Sequence, residues 1–229
     1  MVDVSLILCA RSWQESVDRF LPELLAVVES LEARVELICI EDAACPSAPK
    51  ALAALEATWP GVRLVSIDPP LGVRASVEAA ITASLGETIC VLDASGRFAA
   101  DCLPRLLSRL VRLDAVFGRR ERGIVTRVLH SIIAAVRRLA TGIDVRDPAC
   151  LCWAARREAV VGLAGQGGGC RQWPLQIAAA GYRIGQIRVE ERLEIAAVDT
   201  HLPAVGPTHV ATPACTLHEH FAPQLRKAA

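Results

Sequence analysis

The stretch Ile89-Cys90-Val91-Leu92-Asp93-Ala94-Ser95 decides the fold that this sequence predicts. Four apolar, strand-favouring residues end abruptly on an acid, and two small residues follow it. Such a run is typical of a buried strand in a parallel sheet, which helices cover on both faces. Ligands of open α/β sheets bind at the carboxyl ends of the strands. We therefore expect Asp93 to project into a binding site.

Around this stretch the chain repeats the order strand, then helix. Strands are predicted at 4–8, 35–40, 62–67, 87–92, 115–117 and 187–189, and helices at 13–31, 48–58, 74–84, 102–113, 124–140, 156–163 and 172–180. This alternation predicts an α/β fold with a mostly parallel central sheet flanked by helices. We expect one domain over residues 1–192. In residues 193–229 the periodicity fades among prolines and four histidines, which indicates a tail packed on the surface or partly flexible.

Composition is typical of a globular protein with a large core. The chain has 229 residues and a mean hydropathy of +0.36, but no uninterrupted run of the ~18 apolar residues that a membrane span needs. Three of its nine cysteines, Cys9, Cys39 and Cys90, fall inside predicted strands, where cysteine acts as a small hydrophobic residue. This use of cysteine favours a reducing, cytoplasmic compartment over a disulfide framework.

Charge is balanced in total but unevenly distributed. Residues 1–104 contain 15 acidic and seven basic residues, whereas residues 105–146 contain ten arginines and three acidic residues. A basic stretch can face diphosphates, nucleic acid or an anionic membrane. Aromatic residues make up 4% of the chain and do not alternate with these arginines. Nucleic-acid binding, which relies on such aromatics for stacking, is therefore disfavoured.

The predicted helix at 124–140 leaves two alternatives open. An apolar stripe runs along one side, and Arg127, Arg137 and Arg138 lie elsewhere on the helix. Such a helix can lie at an anionic membrane surface as a peripheral contact. An apolar stripe more often packs on the protein's own sheet or on the second subunit of a homodimer.

Several segments together resemble the family-2 glycosyltransferases of GT-A fold, and most of all the dolichol-phosphate or polyprenyl-phosphate sugar synthases. The segments that carry the resemblance are Leu6-Ile7-Leu8, Leu37-Ile38-Cys39-Ile40-Glu41-Asp42, Leu71-Gly72-Val73-Arg74-Ala75, Val91-Leu92-Asp93-Ala94-Ser95, Asp114-Ala115-Val116-Phe117-Gly118-Arg119-Arg120, Thr141-Gly142-Ile143-Asp144-Val145-Arg146-Asp147-Pro148 and Ala180-Gly181-Tyr182-Arg183-Ile184. It spans residues 4–192. No single segment is specific for this family, but the order and spacing of the segments together are specific.

The resemblance implies a site for a nucleotide-sugar. The residues it assigns to the nucleotide are Cys9, Arg11, Asp42, Gly72, Arg74 and Asp93. It assigns Arg97, Arg119 and Arg120 to the diphosphate or the acceptor. Asp93 also faces the sugar as a catalytic carboxylate, and Asp147 is the candidate carboxylate near the acceptor, with a buried helix cap as its structural alternative.

One departure from the family concerns the metal. The family's Asp-x-Asp, whose carboxylates hold a divalent cation, is Asp93-Ala94-Ser95 here. Because Ser95 offers a neutral oxygen, we expect a weak or absent site for Mg²⁺ or Mn²⁺ at Asp93 and Ser95. Arginines can replace that positive charge, since their forked guanidinium groups suit phosphate oxygens.

Two functions therefore follow from the sequence. The first is inverting transfer of a sugar from a UDP- or GDP-sugar to an acceptor, which in the resembled branch is a polyprenyl phosphate. The second is a catalytically silent nucleotide-binding or interaction module that has kept the fold.

Overall fold

The computed structural model describes residues 2–9, 16–42, 48–59, 61–67, 72–121, 134–135, 138–139, 142–163 and 173–192. Arg11, most of the predicted helix at 124–140 and the predicted tail lie outside the described residues. Within the part that is described, no helix is both long and apolar enough to cross a membrane.

Seven strands form one sheet in the order β3-β2-β1-β4-β6-β5-β7. The strands are β1 (Val4–Cys9), β2 (Val35–Asp42), β3 (Val62–Ile67), β4 (Thr88–Asp93), β5 (Ala115–Arg120), β6 (Cys152–Arg156) and β7 (Ile184–Val189). All run in one direction except β6, which is antiparallel to both β4 and β5. The predicted mostly parallel sheet is confirmed.

Helices cover both faces of this sheet. They are α1 (Leu21–Glu29), which continues a π-helical turn at Ser16–Phe20, α2 (Ala48–Thr58), α3 (Gly72–Ala83), α4 (Cys102–Arg109), α5 (Arg157–Val161) and α6 (Trp173–Ala179). One face of the sheet packs on α1 and α4, and the other on α3, α5 and α6. Because both faces are buried, the central strands β1 and β4 are mostly apolar, and all six residues of β1 are buried.

Strand β6 was not predicted from the sequence. Cys152-Trp153-Ala154-Ala155 is buried on both faces, so it shows no alternation of polar and apolar residues. The strand also passes directly into α5 at Arg157, without the glycine or proline that usually marks a boundary. The helix predicted at 156–163 included Arg156, which is the last residue of strand β6 in the structure. The strand inserts between β4 and β5 and so separates Asp93 from the arginines of β5.

Residues 191–192 fasten the end of the described chain to the segment that follows β4. Phe98 pairs with Glu191, and Arg192 N donates a hydrogen bond to the Arg97 carbonyl at 2.9 Å. On α1, Glu23 accepts hydrogen bonds from Ala100 N at 2.8 Å and from the Arg192 guanidinium at 2.8 Å. The carboxylate of Glu23 therefore joins α1, the segment after β4 and the segment after β7.

This junction predicts a pH-dependent stability. Burial alone would raise the pKa of Glu23, but the Ala100 amide and the Arg192 guanidinium outweigh it and lower the pKa below its ordinary value of 4.5. A lowered folded-state pKa gives stability that is present above the unfolded-state pKa and is lost as the pH falls through the folded-state value. Glu23→Gln should therefore reduce the free energy of unfolding by about 1 kcal/mol at pH 7.

Urea denaturation between pH 7 and pH 3.5 measures this difference, which should shrink below pH 4.5. Glu29→Gln, an exposed change on the same helix, is the matched control and should have little effect at any pH. A Glu23→Gln difference that stays constant with pH would contradict the assignment.

Candidate functional site

The carboxyl ends of six parallel strands meet at one edge of the sheet, which we call the carboxyl edge. Asp42 is the last residue of β2 and Asp93 the last residue of β4, with β1 between them. Neighbouring strands are ~4.8 Å apart, so the two strands that carry these acids are ~10 Å apart. Cys9 ends β1 and is the register partner of Asp93. The sheet therefore brings the predicted Cys9, Asp42 and Asp93 to a common edge.

A tight turn holds Asp93 in position. Its backbone N–H donates to the Leu151 carbonyl at 2.8 Å, and the next amide, that of Ala94, donates to the Cys9 carbonyl at 2.8 Å. Its side-chain Oδ1 accepts a hydrogen bond from Ser95 N at 3.0 Å. Gly96, with φ of +77°, completes the turn in a left-handed conformation that favours glycine. A partly buried carboxylate is thus fixed at the carboxyl edge.

The predicted Gly72 and Arg74 lie in the first turn of α3, which follows β3 and so begins near the same edge. The amino end of a helix carries unpaired N–H groups and a partial positive charge, which favour an anion. This placement agrees with the nucleotide-binding role that the resemblance implies for both residues, and the role stays a prediction.

Arg120 and Asp147 form a buried ion pair at this edge. Arg120 Nε lies 2.7 Å from Asp147 Oδ2, and Arg120 Nη2 lies 2.9 Å from Oδ1. The Arg120 backbone N–H also donates to Oδ2 at 3.3 Å. Only 16% of the Arg120 side chain and 6% of the Asp147 side chain are exposed. The hydrogen bonds to Asp147 raise the pKa of Arg120 above its ordinary value.

This pairing changes what each partner can do. Both carboxylate oxygens of Asp147 already accept hydrogen bonds from the Arg120 guanidinium, so another donor at Asp147 would have to compete with that cation. The positive charge of Arg120 is likewise compensated within the protein. The geometry indicates that Asp147 fixes the Arg120 side chain and the start of the segment 147–151. The catalytic role predicted for Asp147 and the phosphate-binding role predicted for Arg120 stay predictions, and the ion pair weighs against both.

Arg97 also meets an acid of the protein. Its Nε lies 3.2 Å from Glu191 Oε1, with 12% and 18% of the two side chains exposed. No local pattern predicted this partner, which is 94 residues away in the chain. A phosphate that binds Arg97 would have to compete with Glu191.

Arg119 has a different environment from its neighbour Arg120. Side chains alternate along a strand, so Arg119 projects from the opposite face of the sheet to Arg120. Its register partner is Arg188 on β7. Arg146 and Arg188 are both close enough to repel the Arg119 guanidinium. The sequence interpretation assigned a role to Arg119 but none to Arg146 or Arg188.

The described residues provide few ligand atoms for a divalent cation. Among the described residues, no three or more His, Cys, Asp or Glu side chains are placed to hold a metal ion. Asp93 is the carboxylate on offer, beside the neutral Ser95. Mg²⁺ commonly binds through one or two carboxylates and completes its shell with substrate phosphates and water. Asp93 therefore fits a cation that arrives with a diphosphate better than one that binds alone.

The thiols near the edge are not suited to act as nucleophiles. Cys102, Cys150 and Cys152 are buried together, and Cys152 Sγ lies 3.5 Å from Cys102 Sγ. Burial raises the pKa of the Cys150 thiol well above its ordinary value. Because the reactive form of cysteine is the thiolate, these side chains serve as core residues.

Residues 15–160, more than half of the chain, match a family model described as glycosyl transferase family 2. No curated protein matches the chain significantly.

Two solved structures share the fold. The mannosyltransferase PcManGT from Pyrobaculum calidifontis, solved with GDP-Man and Mn²⁺, is 18% identical with a TM-score of 0.58; the match covers 83% of this chain and 59% of that one. The glucosyl-3-phosphoglycerate synthase from Mycobacterium tuberculosis, solved with Mn²⁺, UDP-glucose and phosphoglyceric acid, is 18% identical with a TM-score of 0.56; the match covers 82% of this chain and 70% of that one.

The buried ion pair generates a prediction about stability. Asp147→Asn keeps the side-chain size but leaves Arg120 buried without its counter-charge. The free energy of unfolding should fall by about 3 kcal/mol, as measured by urea denaturation at pH 7. Asp101→Asn is the control, because Asp101 is exposed and its contact with Arg105 is 4.0 Å long. That change should cost no more than about 0.5 kcal/mol. Equal, small effects from both variants would contradict the proposed role of the pair.

Proposed function

This chain belongs to glycosyltransferase family 2, and from that premise we propose that it transfers a sugar from a UDP- or GDP-sugar to an acceptor. The observation that carries the proposal is Asp93. This carboxylate is fixed by Ser95 N at the end of β4, on the edge where ligands of open α/β sheets bind. The complexes of the two structural neighbours, with GDP-Man and with UDP-glucose, support a nucleoside diphosphate sugar as the donor.

In this proposal the nucleoside lies at the ends of β1 and β2. Cys9, Arg11 and Asp42 contact it there, and Asp42 accepts hydrogen bonds from the base or the ribose. The diphosphate lies near Gly72 and Arg74 at the start of α3, where the helix N-terminus attracts negative charge. Asp93 then faces the sugar. The placement of Asp42, Gly72 and Asp93 at one edge supports this arrangement.

We propose an inverting displacement. An acceptor oxygen bonds to the anomeric carbon on the face opposite the diphosphate, the carbon–oxygen bond to the diphosphate breaks, and its electron pair leaves with the nucleoside diphosphate. A phosphate acceptor is already anionic and needs no general base. The engagement of both Asp147 oxygens by Arg120 supports a base-free reaction of this kind. The resembled polyprenyl-phosphate synthases suggest a lipid phosphate, for which the helix predicted at 124–140 would provide peripheral membrane contact.

A divalent cation, when bound, would stabilise the negative charge on the leaving diphosphate. Asp93 would hold it, with the diphosphate supplying most of the remaining oxygens. Both structural neighbours were solved with Mn²⁺, which supports this choice of ion.

A catalytically silent nucleotide-binding module is the second candidate. The observation that favours it is the loss of available charge, because Ser95 replaces a carboxylate while Arg97 and Arg120 are paired with acids of the protein. A silent module would bind a nucleotide yet release no nucleoside diphosphate from any sugar donor.

A thermal-shift screen of UDP, GDP and their sugars, with and without Mn²⁺ or Mg²⁺, tests the proposal. A ligand that binds only the folded state raises its stability, by ~2.7 kcal/mol at 100 times Kd. We expect one nucleotide-sugar to stabilise the chain selectively and Asp93→Asn to reduce the effect. Asp101→Asn, which lies outside the carboxyl-edge turn, should leave it unchanged. Failure of every nucleotide to stabilise the wild-type chain would refute the proposal, and binding without release of nucleoside diphosphate would favour the silent module.

Restoring the second carboxylate should strengthen metal binding. Ser95→Asp places an anionic oxygen beside Asp93 and keeps the backbone hydrogen bond that Ser95 N donates. Mn²⁺ affinity, measured by calorimetry with the preferred nucleotide present, should rise by roughly tenfold, the equivalent of about 1.4 kcal/mol. Ser95→Asn is the matched neutral control and should change it little. Equal affinities for the aspartate and asparagine variants would count against a metal at Asp93.

A further inference from the structure

A group of hydrogen-bond donors converges at the ends of β5 and β7. Arg119 on β5 and Arg188 on β7 are register partners in a parallel pair, so their side chains stand side by side on one face of the sheet. Gln186 lies two residues before Arg188 and therefore shares its face. The backbone N–H of Arg146 donates to Gln186 Oε1 at 3.1 Å, which fixes Arg146 against β7. We call these four residues the β5–β7 donor cluster.

Gln186 provides an independent sign of a missing acceptor. Its amide nitrogen Nε2 is buried and has no hydrogen-bond partner among the described residues. The amide oxygen is committed to Arg146 N, so the side chain cannot turn over without losing that bond. A buried donor without an acceptor is costly, and natural proteins rarely keep one without a bound water, an ion or a ligand. What the cluster lacks is therefore an acceptor.

The charges agree with an anionic acceptor. Burial first, and then repulsion from Arg146 and Arg188, lowers the pKa of Arg119 below its ordinary value. Glu121 and Asp144 attract Arg119, but each more weakly than either arginine repels it. Glu121 also contacts Arg188 at 3.6 Å, where 71% of the arginine and 58% of the glutamate side chain are exposed to solvent. The cluster keeps an excess of positive charge that a bound anion would compensate.

The position of the cluster separates it from the donor diphosphate. β5 lies two strands from β4, on the far side of β6, and β7 lies one strand further. The strands that carry Arg119 and Asp93 are therefore ~10 Å apart, with the carboxyl ends of both at the same edge. A second substrate held at β5 would therefore lie beside a sugar attached to a diphosphate near Asp93.

We propose that Arg119, Arg146, Arg188 and the Gln186 amide bind a phosphate group carried by the acceptor. Three guanidinium groups and the NH2 group of the Gln186 amide are donors, the amide oxygen being engaged by Arg146 N, and arginine forks match phosphate oxygens. This inference rests on the proposed transfer function for the word acceptor, but the anion site itself does not depend on it.

Calorimetric titration with inorganic phosphate and with methyl phosphate tests the site in the full chain. Wild-type protein should bind both. Arg119→Ala and Arg188→Ala should each weaken Kd by roughly tenfold, because each removes a charge-assisted hydrogen bond. Gln186→Glu keeps the size of the side chain but replaces the donor NH2 group with a negatively charged acceptor oxygen. This variant should abolish phosphate binding. A wild-type chain that binds neither phosphate and no vesicle with phosphatidic acid would overturn the inference.

Arg183→Ala is the matched control. Arg183 directly precedes β7 at the opposite edge, pairs with Asp114 and has 65% of its side chain exposed. It removes the same charge from the same part of the chain and should leave Kd within twofold. If Arg183→Ala weakened phosphate binding as much as Arg188→Ala, the effect would be general charge and the site would be refuted. Arg188→Ala is also an exposed change, so a stable fold is expected, and circular dichroism checks it.

Titration with the preferred nucleotide-sugar separates this inference from the proposed function. Cluster variants should keep wild-type affinity for the donor, whereas Asp93→Asn should keep wild-type affinity for phosphate. Site-specific phosphate binding without any nucleotide binding would sustain the anion site and refute the transfer function. Nucleotide binding without a specific phosphate effect would do the reverse. Loss of donor affinity in Arg119→Ala would place Arg119 in the donor site and overturn the separation.

A final arm identifies the source of the phosphate. Vesicles with phosphatidic acid are compared with vesicles of phosphatidylcholine by co-sedimentation, in wild type and in Arg188→Ala. Arg188-dependent binding to phosphatidic acid alone supports a lipid phosphate. Arg188-dependent binding of methyl phosphate, without sedimentation, supports a soluble one. Absence of both overturns the proposal.

Discussion

The buried ion pair between Arg120 and Asp147 is the interaction on which the site depends. Arg120 ends β5, and Asp147 lies shortly before the strand that returns antiparallel beside it. Their three hydrogen bonds fix the start of the segment that leads to Leu151, and the Leu151 carbonyl accepts the backbone N–H of Asp93. The position of Asp93 at the carboxyl edge is therefore set in part by the ion pair between Arg120 and Asp147.

Close packing reinforces this constraint. A Cβ atom on Gly118 would lie 2.8 Å from the Cys152 carbonyl oxygen and 3.0 Å from Cys150 Sγ, so the returning segment passes where only glycine leaves room. The ion pair need not add stability over a well-packed apolar pair, since the desolvation of two buried charges offsets much of their attraction. It does fix geometry, because a bidentate guanidinium–carboxylate contact has one preferred arrangement. Asp147 serves the site by fixing it, a role that a search for catalytic carboxylates overlooks.

Local features of the sequence predicted those parts of the fold that local physics determines. The helix Ala48–Thr58 and the strand Val62–Ile67 have the predicted bounds, and Asp93 was expected at a strand end. The features that the sequence did not predict depend on contacts between residues far apart in the chain. Strand β6 is set by pairing with β4 and β5, since its own residues show no period. The partners of Arg97 and Arg120 are 94 and 27 residues away, and no spacing rule connects them. Arg188 and Gln186 can be recognised as neighbours of Arg119 only once β7 is seen to pair with β5.

The structure also changes the meaning of the basic stretch. By count, ten arginines in residues 105–146 suggest generous compensation for a diphosphate without a metal. By geometry, Arg120 is neutralised by Asp147, and Arg97 earlier in the chain by Glu191, while Arg119 and Arg146 gather beside Arg188 on the far side of β6. Among the described residues, the positive charge of Arg119, Arg146 and Arg188 thus lies two or more strands away from β4, which carries Asp93. In the proposed transfer reaction, the start of α3 with Arg74 and a cation held at Asp93 would stabilise the leaving diphosphate, because Arg97 and Arg120 are paired with acids of the protein. The weak metal ligand set and the distant arginines both limit how the negative charge of a leaving diphosphate can be compensated. The dependence of donor binding on Mn²⁺ would show whether a bound cation provides that compensation.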